Sequence, residues 1–98
     1  MKASTPIIAS LQKIKPELKR KFFVSSIALF GSVVRDDFSP EKSDIDIIVD
    51  FSKPIGVEFI DIAEYLETIF KRKVDLVSMK GIKDKYYRGI ENEIVYIK

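Results

Sequence analysis

The 98 residues include no cysteine and no histidine. That double absence excludes disulfides, thiolate zinc sites, Ser-His-Asp triads and Cys-His nucleophiles. Long hydrophobic runs are also missing: charges interrupt every apolar stretch before it could span a bilayer. The first residues, Met1-Lys2-Ala3-Ser4-Thr5-Pro6, lack the apolar segment and cleavage site of a signal peptide, so a cytoplasmic location is expected. There is no strong excess of one charge. A net charge of +2 gives no general argument for nucleic acid. The cluster Lys13, Lys15, Lys19, Arg20 and Lys21 reads as a solvated helix face.

What remains is an ordinary globular composition, 46% hydrophobic and 33% charged. The length suits a single domain over residues 1–98 with one core. Any catalysis must rest on carboxylates, hydroxyls, Lys or Arg. Carboxylates without imidazole or thiolate favour a hard ion, Mg²⁺ or Mn²⁺.

Thr5 and Pro6 resemble an N-cap followed by proline at the first helical position. Ile7, Ile8, Leu11 and Ile14 continue a helical stripe, and Pro16 predicts a break before a further turn to Lys21. Residues 23–30 read as a buried strand ending at Gly31, residues 32–37 as a short helix, and residues 38–43 as a loop. A second strand is expected over 44–51. Pro54 and Gly56 then punctuate the start of a long helix with Phe59, Ile62, Ala63, Leu66, Ile69 and Phe70 on one stripe. Glu58, Asp61, Glu64 and Glu67 face the other way, and Lys71, Arg72 and Lys73 follow at the C-terminal end. A third strand over 74–79, a helix over 82–91 and a short strand over 94–97 complete the chain. The order αβαβαβα, with a terminal strand, implies an α/β fold: a small mixed sheet with helices packed on it. The first strand connection is short and suits an antiparallel pair. The second, through the long helix, suits a right-handed parallel crossover.

Asp44 and Asp46, two apart on a strand, share one face, while Ile45 points to the other. Two neighbouring carboxylates repel each other unless a cation lies between them. Asp-x-Asp alone is common in loops, and a capping Asp44 beside an incidental charge is the plain alternative. The context adds weight. If the first two strands are antiparallel, Gly31-Ser32 lies beside Asp44-Ile45-Asp46, where a glycine and a helix start can receive a phosphate. Asp75, in the apolar stretch Val74-Asp75-Leu76-Val77, falls on the adjacent strand. Three converging carboxylates fit a two-metal site with ions about 3.5–4 Å apart, in which Asp75 accepts a proton from an attacking hydroxyl. Arg35, one turn after Ser32, could reach phosphate or could pair with Asp36 or Asp37. Ser43 could touch nucleotide or only shape its loop. Asp36, Asp37 and Asp50 read as surface charges.

Together, Ala28-Leu29-Phe30-Gly31-Ser32, Ser43-Asp44-Ile45-Asp46-Ile47-Ile48-Val49-Asp50-Phe51 and Val74-Asp75-Leu76-Val77 resemble the minimal nucleotidyltransferase (MNT) family of the DNA polymerase β-like superfamily. The resemblance covers nearly the whole chain. It implies a nucleotidyltransferase fold in which Gly31, Ser32, Arg35 and Ser43 contact the triphosphate, and Asp44, Asp46 and Asp75 hold Mg²⁺ and serve catalysis. Val34-Arg35-Asp36 stands where many relatives have Ala-Arg-Gly. Such proteins often act as antitoxins beside small helical HEPN toxins, transferring AMP from ATP to a toxin tyrosine. A bare domain without an acceptor-binding module fits a protein acceptor. Two other readings use the same residues. One is a binding module that neutralises its partner by occlusion, with Tyr86, Tyr87, Ile90 and Tyr96 as contacts. The other is a metal-dependent nuclease, which leaves Gly31-Ser32 without a purpose.

Overall fold

In the computed structural model, which describes residues 4–35 and 44–98, helix α1 runs over Ser4–Phe22. Pro6 falls in its first turn, where a missing N–H costs nothing. The break expected at Pro16 does not occur; the helix continues through it. Proline removes the donor that would bond the Gln12 carbonyl, but both residues are exposed, so water can take that carbonyl. The interruption costs about 3 kcal/mol, and burial of an apolar side chain returns about 1.5–3 kcal/mol. Leu11 and Leu18, fully buried on either side of Pro16, therefore keep both halves on one core. Lys15 also departs from the solvated-face expectation: it is half-buried and donates from Nζ to the Ile97 carbonyl at 2.8 Å.

A single residue turns the chain from α1 into strand β1 (Val24–Phe30). Phe23 makes the turn with φ +59°, a conformation unfavourable for an aromatic residue. Its carbonyl accepts from Ser52 N at 2.8 Å, and the Lys53 ammonium lies 3.6 Å from the ring centroid. These contacts hold the reversal in place.

Strand β1 pairs antiparallel with β2 (Ile45–Phe51), and β2 pairs parallel with β3 (Val74–Ser78). The terminal strand β4 (Val95–Tyr96) lies antiparallel on the free edge of β1, giving the order β3-β2-β1-β4. The sheet is mixed, as the connection lengths require. Helix α2 (Glu58–Phe70) makes the β2–β3 crossover and ends at Lys71, whose φ of +54° closes the last turn. Its stripe is as expected: Ile62 and Leu66 are fully buried, with Phe59 and Phe70 packed against the core. Glu67 does not simply face solvent; its carboxylate accepts from Val74 N at 3.0 Å, tying the helix to the start of β3. Helix α3 covers Asp84–Ile90, shorter than the span expected from the pattern.

Alternation decides which residues face α1 and α2. Ile27 and Leu29 of β1 and Ile45, Ile47 and Val49 of β2 pack against Leu11, Leu18, Ile62 and Leu66. Tyr65 Oη donates to Glu17 at 2.8 Å, joining the two helices above that face. Asp46, Ile48 and Asp50 point to the other side, as do Asp75 and Val77 in β3. Among the described residues, no helix is long and apolar enough to cross a membrane.

Candidate active site

The antiparallel register brings the end of β1 to the beginning of β2, with Phe30 opposite Asp46. The parallel register then sets Asp75 directly beside Asp46. Asp44 immediately precedes β2 and is half-buried. Asp46 and Asp75 therefore meet at one end of the sheet, on the face opposite α1 and α2, with Asp44 close enough for its charge to act on Asp46.

Gly31 follows Phe30 with φ +74° and opens a short 3₁₀ turn, Gly31–Val33. The carbonyl of Gly31 accepts from Val34 N at 3.0 Å and from Arg35 N at 3.2 Å. Glycine is required twice over. Its φ disfavours any side chain. In addition, a Cβ at this position would collide with Asp46 Oδ2 and stand 3.2 Å from Asp46 Cγ. Ser32 is half-buried in the same turn. The expected short helix over 32–37 is thus a 3₁₀ turn in its described part. Asp36, Asp37, Ser43 and the loop over 38–43 lie outside the described residues.

Crowding shows in the titration of Asp46, whose carboxyl is raised from 3.8 to about 6. Burial is the largest cause, followed by the negative charges of Asp75 and Asp44; Arg35 opposes them, and a hydrogen bond with Asp75 favours the protonated form. Asp75 itself is exposed. The donor set fits a hard divalent cation: oxygen ligands only, with a charge conflict that such an ion relieves. Among the described residues no three carboxylates already form a closed ligand set. The contact present is between Asp46 and Asp75.

Arg35 Nη1 donates to Glu93 Oε2 at 2.8 Å, while the alternative partners Asp36 and Asp37 lie outside the described residues. Glu93 had no role in the sequence reading, and no local signal could have supplied one, because the pair is separated by 58 positions. Of the aromatic candidates near the C-terminus, Tyr86 is 52% and Tyr96 50% exposed, whereas Tyr87 and Ile90 are half-buried. A cavity of about 290 Å³ lined by Phe51, Lys53, Pro54, Ile55, Phe59, Ser78 and Lys80 lies at the other end of β2 and β3. None of its walls carries a carboxylate, in contrast to the Gly31 end.

Comparison with known proteins shows the family. The model of the nucleotidyltransferase domain family matches residues 11–97. A Methanocaldococcus jannaschii protein assigned as a protein adenylyltransferase is 43% identical over 99% of this chain and 100% of its own length. The protein adenylyltransferase MntA of Thermococcus cleftensis is 40% identical over 85% of this chain and 84% of its own. Among solved structures, a minimal nucleotidyltransferase superposes with a TM-score of 0.76 at 22% identity, covering 97% of this chain and 95% of that one. A chain of the Shewanella oneidensis complex between a tri-AMPylated HEPN toxin and its MNT antitoxin superposes with a TM-score of 0.66 at 20% identity, covering 93% and 71%.

Proposed function

The chain belongs to the nucleotidyltransferase domain family, and from that premise we propose that it transfers AMP from ATP to a tyrosine hydroxyl of a partner HEPN toxin, silencing it. The observation that carries this reading is the meeting of the Gly31 turn, Asp46 and Asp75 at one end of the sheet, on the face opposite α1 and α2. The relatives that are named as protein adenylyltransferases, and the AMPylated toxin bound to an antitoxin of this fold, support the acceptor class.

In this reading the backbone N–H groups after Gly31 and the Ser32 hydroxyl hold triphosphate oxygens. Arg35 adds charge from the end of the same turn. Asp44, Asp46 and Asp75 would hold Mg²⁺, with Mn²⁺ as a substitute, and the ion supplies charge neutralisation at the phosphates. Asp75, exposed to an incoming acceptor, takes the proton of the hydroxyl. The hydroxyl oxygen bonds to the α-phosphorus as the bond to pyrophosphate breaks. Positioning contributes as much as acid–base chemistry, since phosphoryl groups react when held in line.

The test is to incubate the protein with Mg²⁺, ATP and its genomic neighbour and to weigh the neighbour by intact mass spectrometry. AMP additions that vanish with Asp44→Asn support the proposal. An unmodified neighbour that Asp44→Asn still inhibits would sink it in favour of occlusion by binding.

A further inference from the structure

The Arg35–Glu93 pair joins the phosphate turn to the far end of the chain. Its geometry follows from β4. Ala28 pairs with Tyr96 and Leu29 with Val95, so continuing that antiparallel register brings Glu93 level with Gly31. The strand is pinned from behind: Ile97 is buried, its N–H donates to the Ile27 carbonyl at 2.9 Å, and its own carbonyl accepts from Lys15 at 2.8 Å. Glu93 ends a short 3₁₀ turn, Glu91–Glu93, held between α3 and this strand. Arg35 is tethered from the other side by its own N–H on the Gly31 carbonyl. Both members are thus fixed relative to Gly31.

We propose that Glu93 is a positioning residue for nucleotide: it anchors the Arg35 guanidinium beside the Gly31 turn, in the orientation that receives the triphosphate. The inference rests on the nucleotidyltransferase reading above. With side chains 47% and 30% exposed, the pair contributes little to folding, which leaves orientation as what it supplies. A guanidinium carries five N–H donors, so an anchor on Nη1 and a phosphate contact are compatible in one side chain. A fixed arginine also loses less conformational freedom on binding than a mobile one.

The experiment is calorimetric titration of the full chain with AMP-PNP in the presence of Mg²⁺, which needs no acceptor. Glu93→Gln should bind about five- to tenfold more weakly, the scale of one charge-assisted contact left out of position. Its melting temperature should match that of the unmutated protein. In an Arg35→Ala background, Glu93→Gln should change affinity by less than about twofold, because the two act as a unit. Equal or tighter binding by Glu93→Gln overturns the proposal, as does a loss that persists without Arg35 or that follows a fall in melting temperature. Absence of nucleotide binding by the unmutated protein would instead overturn the nucleotidyltransferase reading itself.

Discussion

The two faces of the β1–β2–β3 sheet use one alternating pattern for opposite ends. Under α1 and α2, Ile27, Leu29, Ile45, Ile47 and Val49 are all within 1% of full burial and hold the domain together. One residue away on β2, Asp46 faces Asp75 and Asp44 and carries a carboxyl displaced to about 6. The covered face spends its positions on packing. The opposite face buries Ala28, Phe30 and Ile48 as well, but at its Gly31 end it gathers carboxylates whose mutual repulsion destabilises the fold. The difference teaches that packing and charge separate by residue parity at the start of β2, with only about 3.4 Å of backbone between buried Ile45 or Ile47 and Asp46.

Substitutions on opposite faces should therefore fail in opposite ways. The largest effect is expected from Asp46→Asn: adenylyl transfer should fall on the order of 10³-fold, while thermal stability at pH 7 should hold or rise. A drop in both would show that the Asp46 carboxylate also carries the fold. Next is Leu66→Ala on the covered face, with a loss of about 2–5 kcal/mol in denaturant unfolding and activity retained at temperatures where the variant stays folded. Loss of activity in the folded variant would break the separation.

A smaller effect follows from the titration of Asp46. The folded carboxyl keeps its proton up to about pH 6, whereas the unfolded one releases it near 3.8. The folded state then binds more protons between those values, so stability of the metal-free protein should fall as pH rises through that window. With solvent screening of a partly exposed group, the fall should be about 1–2 kcal/mol. Melting curves from pH 4 to 7 should show it, and both Mg²⁺ and Asp46→Asn should flatten it. A slope that Asp46→Asn leaves intact would assign the effect elsewhere. The smallest effect is expected from Tyr65→Phe, which removes the hydrogen bond to Glu17 above the covered face. About 0.5–1 kcal/mol of stability should be lost, with adenylyl transfer unchanged.

The acidic end of β2 was legible in the sequence because its pattern is local. Asp44, Ile45 and Asp46 divide between two faces by strand geometry alone, and Gly31 marks the end of β1. Even so, the sequence argument for Gly31 rested on phosphate approach. Only the folded chain shows that the Asp46 carboxylate also fills the space a Cβ would need. Pro16 misled for the converse reason: a local rule predicted a break, and burial of Leu11 and Leu18 on a shared core prevailed over it.

By itself, then, the sequence determined the alternation of strands and helices, the mixed sheet, the opposite facing of Ile45 and Asp46, and the neighbourhood of Gly31, Asp46 and Asp75. All of these follow from periodicities and connection lengths that the backbone imposes within a few residues. Tertiary structure alone decided that α1 continues through Pro16, that Lys15 caps the terminal strand, and that Arg35 meets Glu93 across 58 positions. Those outcomes depend on strand register and on the burial of Ile97, which are settled when distant segments compete for the same core, and no local window of sequence contains that competition.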